Sequence, residues 1–87
     1  MASNDSLFRS GAQARVQLNL LELIRDFPGG TYADYGERRG RTPATTGQII
    51  KQFWDAGWVK PDRELPAHWE ITPTGEEVLS SHAHLLD

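Results

Sequence analysis

The tightest constraint on the fold of this 87-residue chain is a helix stop and a helix start with one residue between them. Gly40 suits the left-handed conformation that ends a helix. Thr42-Pro43 is an N-cap followed by proline at the first helical position, where its missing N–H would have had no partner anyway. Only Arg41 separates the two signals. Helices joined by so short a glycine-containing turn must cross steeply, which is the geometry of a helix-turn-helix.

The segment from Pro43 predicts an amphipathic helix to residue 56. Thr46, Ile49, Ile50, Phe53, Trp54 and Gly57 follow the i, i+3, i+4, i+7, i+8, i+11 pattern of one buried stripe. Ala44, Thr45, Gln48, Lys51, Gln52 and Asp55 take the other side. That outer face begins uncharged and gains a cation a turn later, which suits contact with hydrogen-bonding edges and phosphates. A merely solvated face is usually richer in charge.

The flanking segments supply the rest of one domain over residues 10–87, after a polar tail over residues 1–9 that reads as flexible. Ser10 and Gln13 are spaced as a capping box, and the helix they open is expected over residues 12–27. Val16, Leu20, Leu23, Ile24 and Phe27 form its stripe, while Leu18 and Leu21 add a second apolar flank that is either core or a dimer surface. Pro28-Gly29-Gly30 ends this helix. Thr31 then caps a short helix over residues 32–39 with Tyr32, Tyr35 and Gly36 facing inward. Beyond residue 56, strands are expected at residues 58–60 and 68–72, with Trp69 and Ile71 on one side and His68, Glu70 and Thr72 on the other. The loop between them lacks a tight Asn-Gly turn and reads as a wing. Pro73 breaks the second strand. Thr74 and Glu77 are spaced as another capping box, predicting a final helix over residues 74–86 with Val78, Leu79, Leu85 and Leu86 apolar.

Composition removes several classes of function. A chain this short hides only somewhat more than roughly 60% of its unfolded surface, enough for one small core. It has no cysteine, so disulfides, zinc–thiolate sites and thiol catalysis are excluded. No apolar run approaches the roughly 18 residues of a membrane span, and the N-terminus lacks a signal-peptide layout, so a cytoplasmic location is expected. His82 and His84 lie two apart, off the spacing of a helical metal site, and no metal is expected. No phosphate-binding glycine loop and no nucleophile with its base are present, so neither enzyme activity nor a cofactor is expected. The net charge of −3 is unevenly spread: residues 36–51 carry +3 and residues 62–87 carry −5. The positive block overlaps the start of the helix at Pro43, which orients any polyanion toward that face.

Helix, helix-turn-helix, two-stranded hairpin and closing helix is the order of a winged helix-turn-helix, an α+β fold with a three-helix core, and the words of the sequence resemble that superfamily. Thr42-Pro43-Ala44-Thr45-Thr46 is similar to the Ser-Pro-Ser-Thr-Val that opens recognition helices in regulators of the MarR, ArsR and PadR type. Asp55-Ala56-Gly57-Trp58-Val59 is similar to their Glu-x-Gly-Leu-Val. Trp69-Glu70-Ile71-Thr72-Pro73-Thr74-Gly75 resembles the Tyr-x-Leu-Thr-x-x-Gly that closes the wing. The resemblance spans about residues 16–79. Two departures stand out. Arg39 and Arg41 replace leucines, so either their stems pack while the guanidinium groups reach out, or the turn is remodelled. Gly47 replaces a serine at a cost of about 1 kcal/mol relative to alanine, and its missing side chain admits either a DNA backbone or the second helix.

The resemblance implies a sequence-specific binder of double-stranded DNA, a small transcriptional regulator or repressor acting by occupying its site, with the recognition helix in the major groove. On the residues that match, Gln48 reads adenine, Thr45 meets a base edge or a thymine methyl, and Lys51 and Gln52 reach phosphate or guanine. Thr42, Ala44 and Gly47 belong to the same contact surface. Arg38, Arg39 and Arg41 around the helix start suit phosphates, and Lys60 and Arg63 serve the wing on the flanking backbone or minor groove. A homodimer through the terminal helices would join two half-sites. The alternative is a winged helix used as a protein-interaction module within a larger assembly, without DNA binding. The three tryptophans read as core or wing packing.

Overall fold

In the computed structural model, which describes residues 11–65 and 67–82 and side chains from residue 14 onward, the chain is built around the turn at Gly40. Its elements are α1 (Gly11–Asp26), α2 (Tyr32–Arg39), α3 (Pro43–Asp55), β1 (Val59–Pro61), β2 (Trp69–Ile71) and α4 (Pro73–Ser81). Thr31 caps α2 reciprocally: its hydroxyl accepts from Asp34 N–H at 3.2 Å, and its own N–H donates to the Asp34 carboxylate at 3.0 Å. Gly40 ends α2 at φ +68°, and Arg41 N–H returns to the Gly36 carbonyl at 2.8 Å. Thr42 then accepts from Thr45 N–H at 3.2 Å with Pro43 at the first position of α3. The two helices therefore share one continuous capping structure.

Burial rotates α1 away from the expected stripe. Leu18, Leu20, Leu21 and Ile24 are fully buried, whereas Val16 and Phe27 remain 40% and 45% exposed. Leu18 and Leu21 are thus core, and the dimer-surface alternative for those two leucines falls. They pack with Tyr35, Ile50, Phe53, Trp58, Val59, Trp69, Val78 and Leu79 in one cluster fed by every element. Each large side chain so buried contributes about 1.5–3 kcal/mol. The capping box expected at Ser10, and Leu85 and Leu86 of the last helix, lie outside the described residues.

The wing is an antiparallel pair with Val59 opposite Ile71, Lys60 opposite Glu70 and Pro61 opposite Trp69. A feature absent from the sequence reading completes it. Gly29 N–H donates to the Trp69 carbonyl at 2.7 Å and Trp69 N–H to the Gly30 carbonyl at 3.0 Å, so the corner after α1 forms a bridge on the free edge of β2. His68 reinforces it, its Nδ1–H donating to the Gly29 carbonyl at 2.6 Å. The buried Tyr35 hydroxyl fixes the same corner, accepting from Gly30 N–H at 3.0 Å and donating to the Phe27 carbonyl at 2.6 Å.

The start of α4 also differs from expectation. The cap is Thr72 rather than Thr74, with Pro73 inside the helix as its first residue. Thr72 is held extended by the end of α3: its N–H donates to the Trp58 carbonyl at 2.9 Å and its hydroxyl to the Gly57 carbonyl at 2.6 Å. The same oxygen accepts from Gly75 N–H at 3.1 Å. Because Thr72 is anchored on both sides, Pro73 opens the helix instead of separating it from the strand.

Candidate nucleic-acid interface

The exposed face of α3 carries Ala44, Thr45, Gln48, Lys51, Gln52 and Asp55, every one of them solvent-facing. Thr46, Ile50 and Phe53 hold the opposite side in the core, which fixes the rotation of the helix. Thr42 and Thr45 are exposed at its start, their hydroxyls hydrogen-bonded to each other. The outward face bears no acid before Asp55, and the helix N-terminus adds its own partial positive charge.

Gly47 is placed differently from its neighbours in the expected contact set. It is buried, and a Cβ built there would stand 2.8 Å from the ring of Tyr32. The missing side chain therefore admits α2, the second of the two uses open to it. Tyr32 in turn stacks on Trp69 with centroids 5.8 Å apart and planes within 9°. Trp54, expected on the buried stripe, is 48% exposed and meets Trp69 edge-on at 5.1 Å. It sits at the rim of the stripe, where the wing takes over from the core. These rings tie α3 to the wing, a link that sequence spacing does not reveal because its members come from three elements.

The three arginines converge on one cleft beside the start of α3, lined with them by Val16, Asn19 and Leu23 of α1. Their roles diverge. Arg39 is half-buried and its guanidinium donates to the buried Thr46 hydroxyl at 2.8 Å; burial, and then the charge of Arg41, lower its pKa from the usual arginine value. This turns Arg39 into a brace between α2 and α3. Arg38 lies 3.8 Å above the Phe27 ring, a cation–π contact that leaves its edge to solvent. Arg41 is exposed at the turn itself. Lys60 and Arg63 are exposed on the wing, where they share residues 60–70 with Asp62, Glu64 and Glu70. Asp62 is engaged in the loop, its carboxylate accepting from Glu64 and Leu65 N–H at 2.8 and 3.1 Å, which lowers its pKa.

Among the described residues there is no group of three His, Cys, Asp or Glu that could hold a metal ion, and no helix is long and apolar enough to cross a membrane.

No protein-family profile matches the chain, and no curated protein matches it in sequence. Solved structures do match in fold. The multiple antibiotic-resistance repressor MarR of Listeria monocytogenes 4b F2365 superposes with a TM-score of 0.65 at 22% identity, over 74% of this chain and 45% of that one. FabT of Streptococcus pneumoniae, solved in complex with DNA, superposes with a TM-score of 0.65 at 14% identity, over 78% of this chain and 50% of that one. The chain spans about half the length of these two proteins. With its helix-turn-helix, hairpin and closing helix in that arrangement, the chain is a winged helix-turn-helix domain of MarR-like architecture.

Proposed function

We propose that this protein binds double-stranded DNA sequence-specifically as a small transcriptional regulator acting by site occupancy. The observation that carries the proposal is the outward face of α3: hydrogen-bonding and small side chains from Ala44 to Gln52, one lysine, no acid before Asp55, and Arg38 and Arg41 beside its start. Gln48 and Thr45 meet base edges in the major groove, and Lys51, Arg38 and Arg41 meet phosphates. Arg39 supports the surface from behind. Lys60 and Arg63 contact the flanking backbone, against the opposing charge of three wing acids. The described surface of α1 and the residue after it offers a homodimer Val16 and Phe27 rather than the buried leucines. The DNA complex of the FabT neighbour is consistent with this use of the fold.

The test is an anisotropy titration of the full chain against duplex DNA from a randomised pool and its selected sites, at several salt concentrations. Binding falls steeply with salt, and Arg41→Ala or Lys51→Ala each reduces the slope of log K against log salt by about 1. Absence of salt-sensitive binding to any duplex refutes the proposal. It would favour the second reading, a protein-interaction module, for which the exposed Val16 and Phe27 beside the arginines are the supporting surface.

A further inference from the structure

We infer that Gln17, inside α1, decides which end of the Gln52 amide is presented to DNA, making Gln52 a hydrogen-bond donor to an acceptor atom; this rests on the DNA-binding reading above. Gln17 is 3% exposed, and its Nε2 donates to Oε1 of Gln52 at 3.5 Å across the α1–α3 contact. Its own Oε1 is buried without a hydrogen-bond partner among the described residues. A buried carbonyl left without a donor costs stability, and a leucine at this position would avoid the loss. Local inconsistency of this kind concentrates where function imposes it.

The consequence follows from the asymmetry of the amide, which has one acceptor end and one donor end. With Oε1 engaged by Gln17, Gln52 keeps its two N–H groups for the outside. It is exposed and continues the stripe begun by Thr45 and Gln48. The matching DNA atoms are acceptors: guanine O6 and N7, adenine N7, thymine O4 or a phosphate oxygen. Bidentate reading of adenine, which needs both ends of the amide, is left to Gln48, whose side chain makes no hydrogen bond among the described residues. Gln17 is therefore a positioning residue that acts through Gln52.

The experiment compares wild type, Gln17→Leu, Gln17→Met and Gln52→Ala in site selection from a randomised duplex pool, with affinities at two salt concentrations and a thermal melt for each. Gln52→Ala is expected to weaken binding about threefold to tenfold, the worth of one hydrogen bond. The Gln17 variants keep the wild-type salt slope, but at the base pair affected by Gln52→Ala their discrimination drops about threefold and donor edges become tolerated. If instead their affinity falls evenly over all sequences, the acceptor is a phosphate and the donor assignment stands. The inference is overturned if Gln52→Ala binds as tightly as wild type, or if folded Gln17 variants keep both affinity and preference. Wild-type binding with indifferent variants refutes the inference alone, whereas no wild-type binding at any salt refutes the DNA reading with it.

Discussion

Gly75 is the position at which one added methyl group is expected to do the most damage per atom. A Cβ there would lie 2.2 Å from the Trp58 carbonyl oxygen, 2.7 Å from Ile71 Cγ1 and 3.0 Å from the Trp58 carbonyl carbon. A carbon–oxygen contact relaxes at about 3.3 Å, so α4 and the backbone at Trp58 must separate by about 1 Å. The oxygen cannot swing aside freely, because Thr72 N–H is bonded to it at 2.9 Å. Overpacking of this kind costs about 1–3 kcal/mol, and weakening the Thr72 bond adds about 1 kcal/mol. Alanine returns at most about 1 kcal/mol through helix propensity. The net loss for Gly75→Ala is about 1–3 kcal/mol, a fall in Tm of about 4–24 °C for a domain of this size. Thermal unfolding followed by circular dichroism measures it, with Thr74→Ala on the same exposed turn as the control, expected within about 0.5 kcal/mol of wild type. A Gly75→Ala protein melting within about 2 °C of wild type would refute the close approach of the two segments.

Two further perturbations probe the corner and the wing. Tyr35→Phe removes the hydroxyl that serves Gly30 N–H and the Phe27 carbonyl; with both only partly shielded from water, it should cost about 1 kcal/mol in a urea titration, and a loss below the resolution of that titration would show the corner to be held by its strand pairing alone. Asp62→Ala should weaken the wing in a pH-dependent way. The Asp62 pKa is lowered in the fold by the Glu64 and Leu65 amides, so its stabilisation is present above its unfolded value and is lost as pH falls through the lower folded value. The urea midpoints of wild type and variant should therefore differ at neutral pH and converge as pH falls below the ordinary carboxylate range; a difference independent of pH would refute the carboxylate's role.

Local signals in the sequence carry the helix-turn-helix because each is decided within a few residues. Thr31, Gly40 and Thr42-Pro43 act on their own turns, and the structure uses all three as caps. The outward face of α3 follows from its period for the same reason. What the sequence hides are contacts between distant segments. Helical spacing cannot tell Val16 and Phe27 from Leu18 and Leu21, since all are apolar and only the positions of β2, α4 and α2 decide which pair is covered. The Gly30–Trp69 bridge joins residues 39 apart, and nothing in Gly29-Gly30 beyond turn chemistry announces a strand. Thr72 and Thr74 are equivalent as caps by local rules; the bonds from Thr72 to Gly57 and Trp58 break the tie. Likewise Arg39 reads as one more surface cation until Thr46 is seen to receive it.

The ring contacts that couple the recognition helix to the wing also equip the protein with its own optical probe. Trp58 and Trp69 are 1% and 4% exposed, while Trp54 is 48% exposed. Two indoles thus emit as a constant buried background, and one emits from the rim of the proposed interface, edge-on to a buried neighbour. A partner seated on α3 and the wing changes the solvent around that one ring, so occupancy can be followed by iodide quenching of intrinsic fluorescence on unlabelled protein.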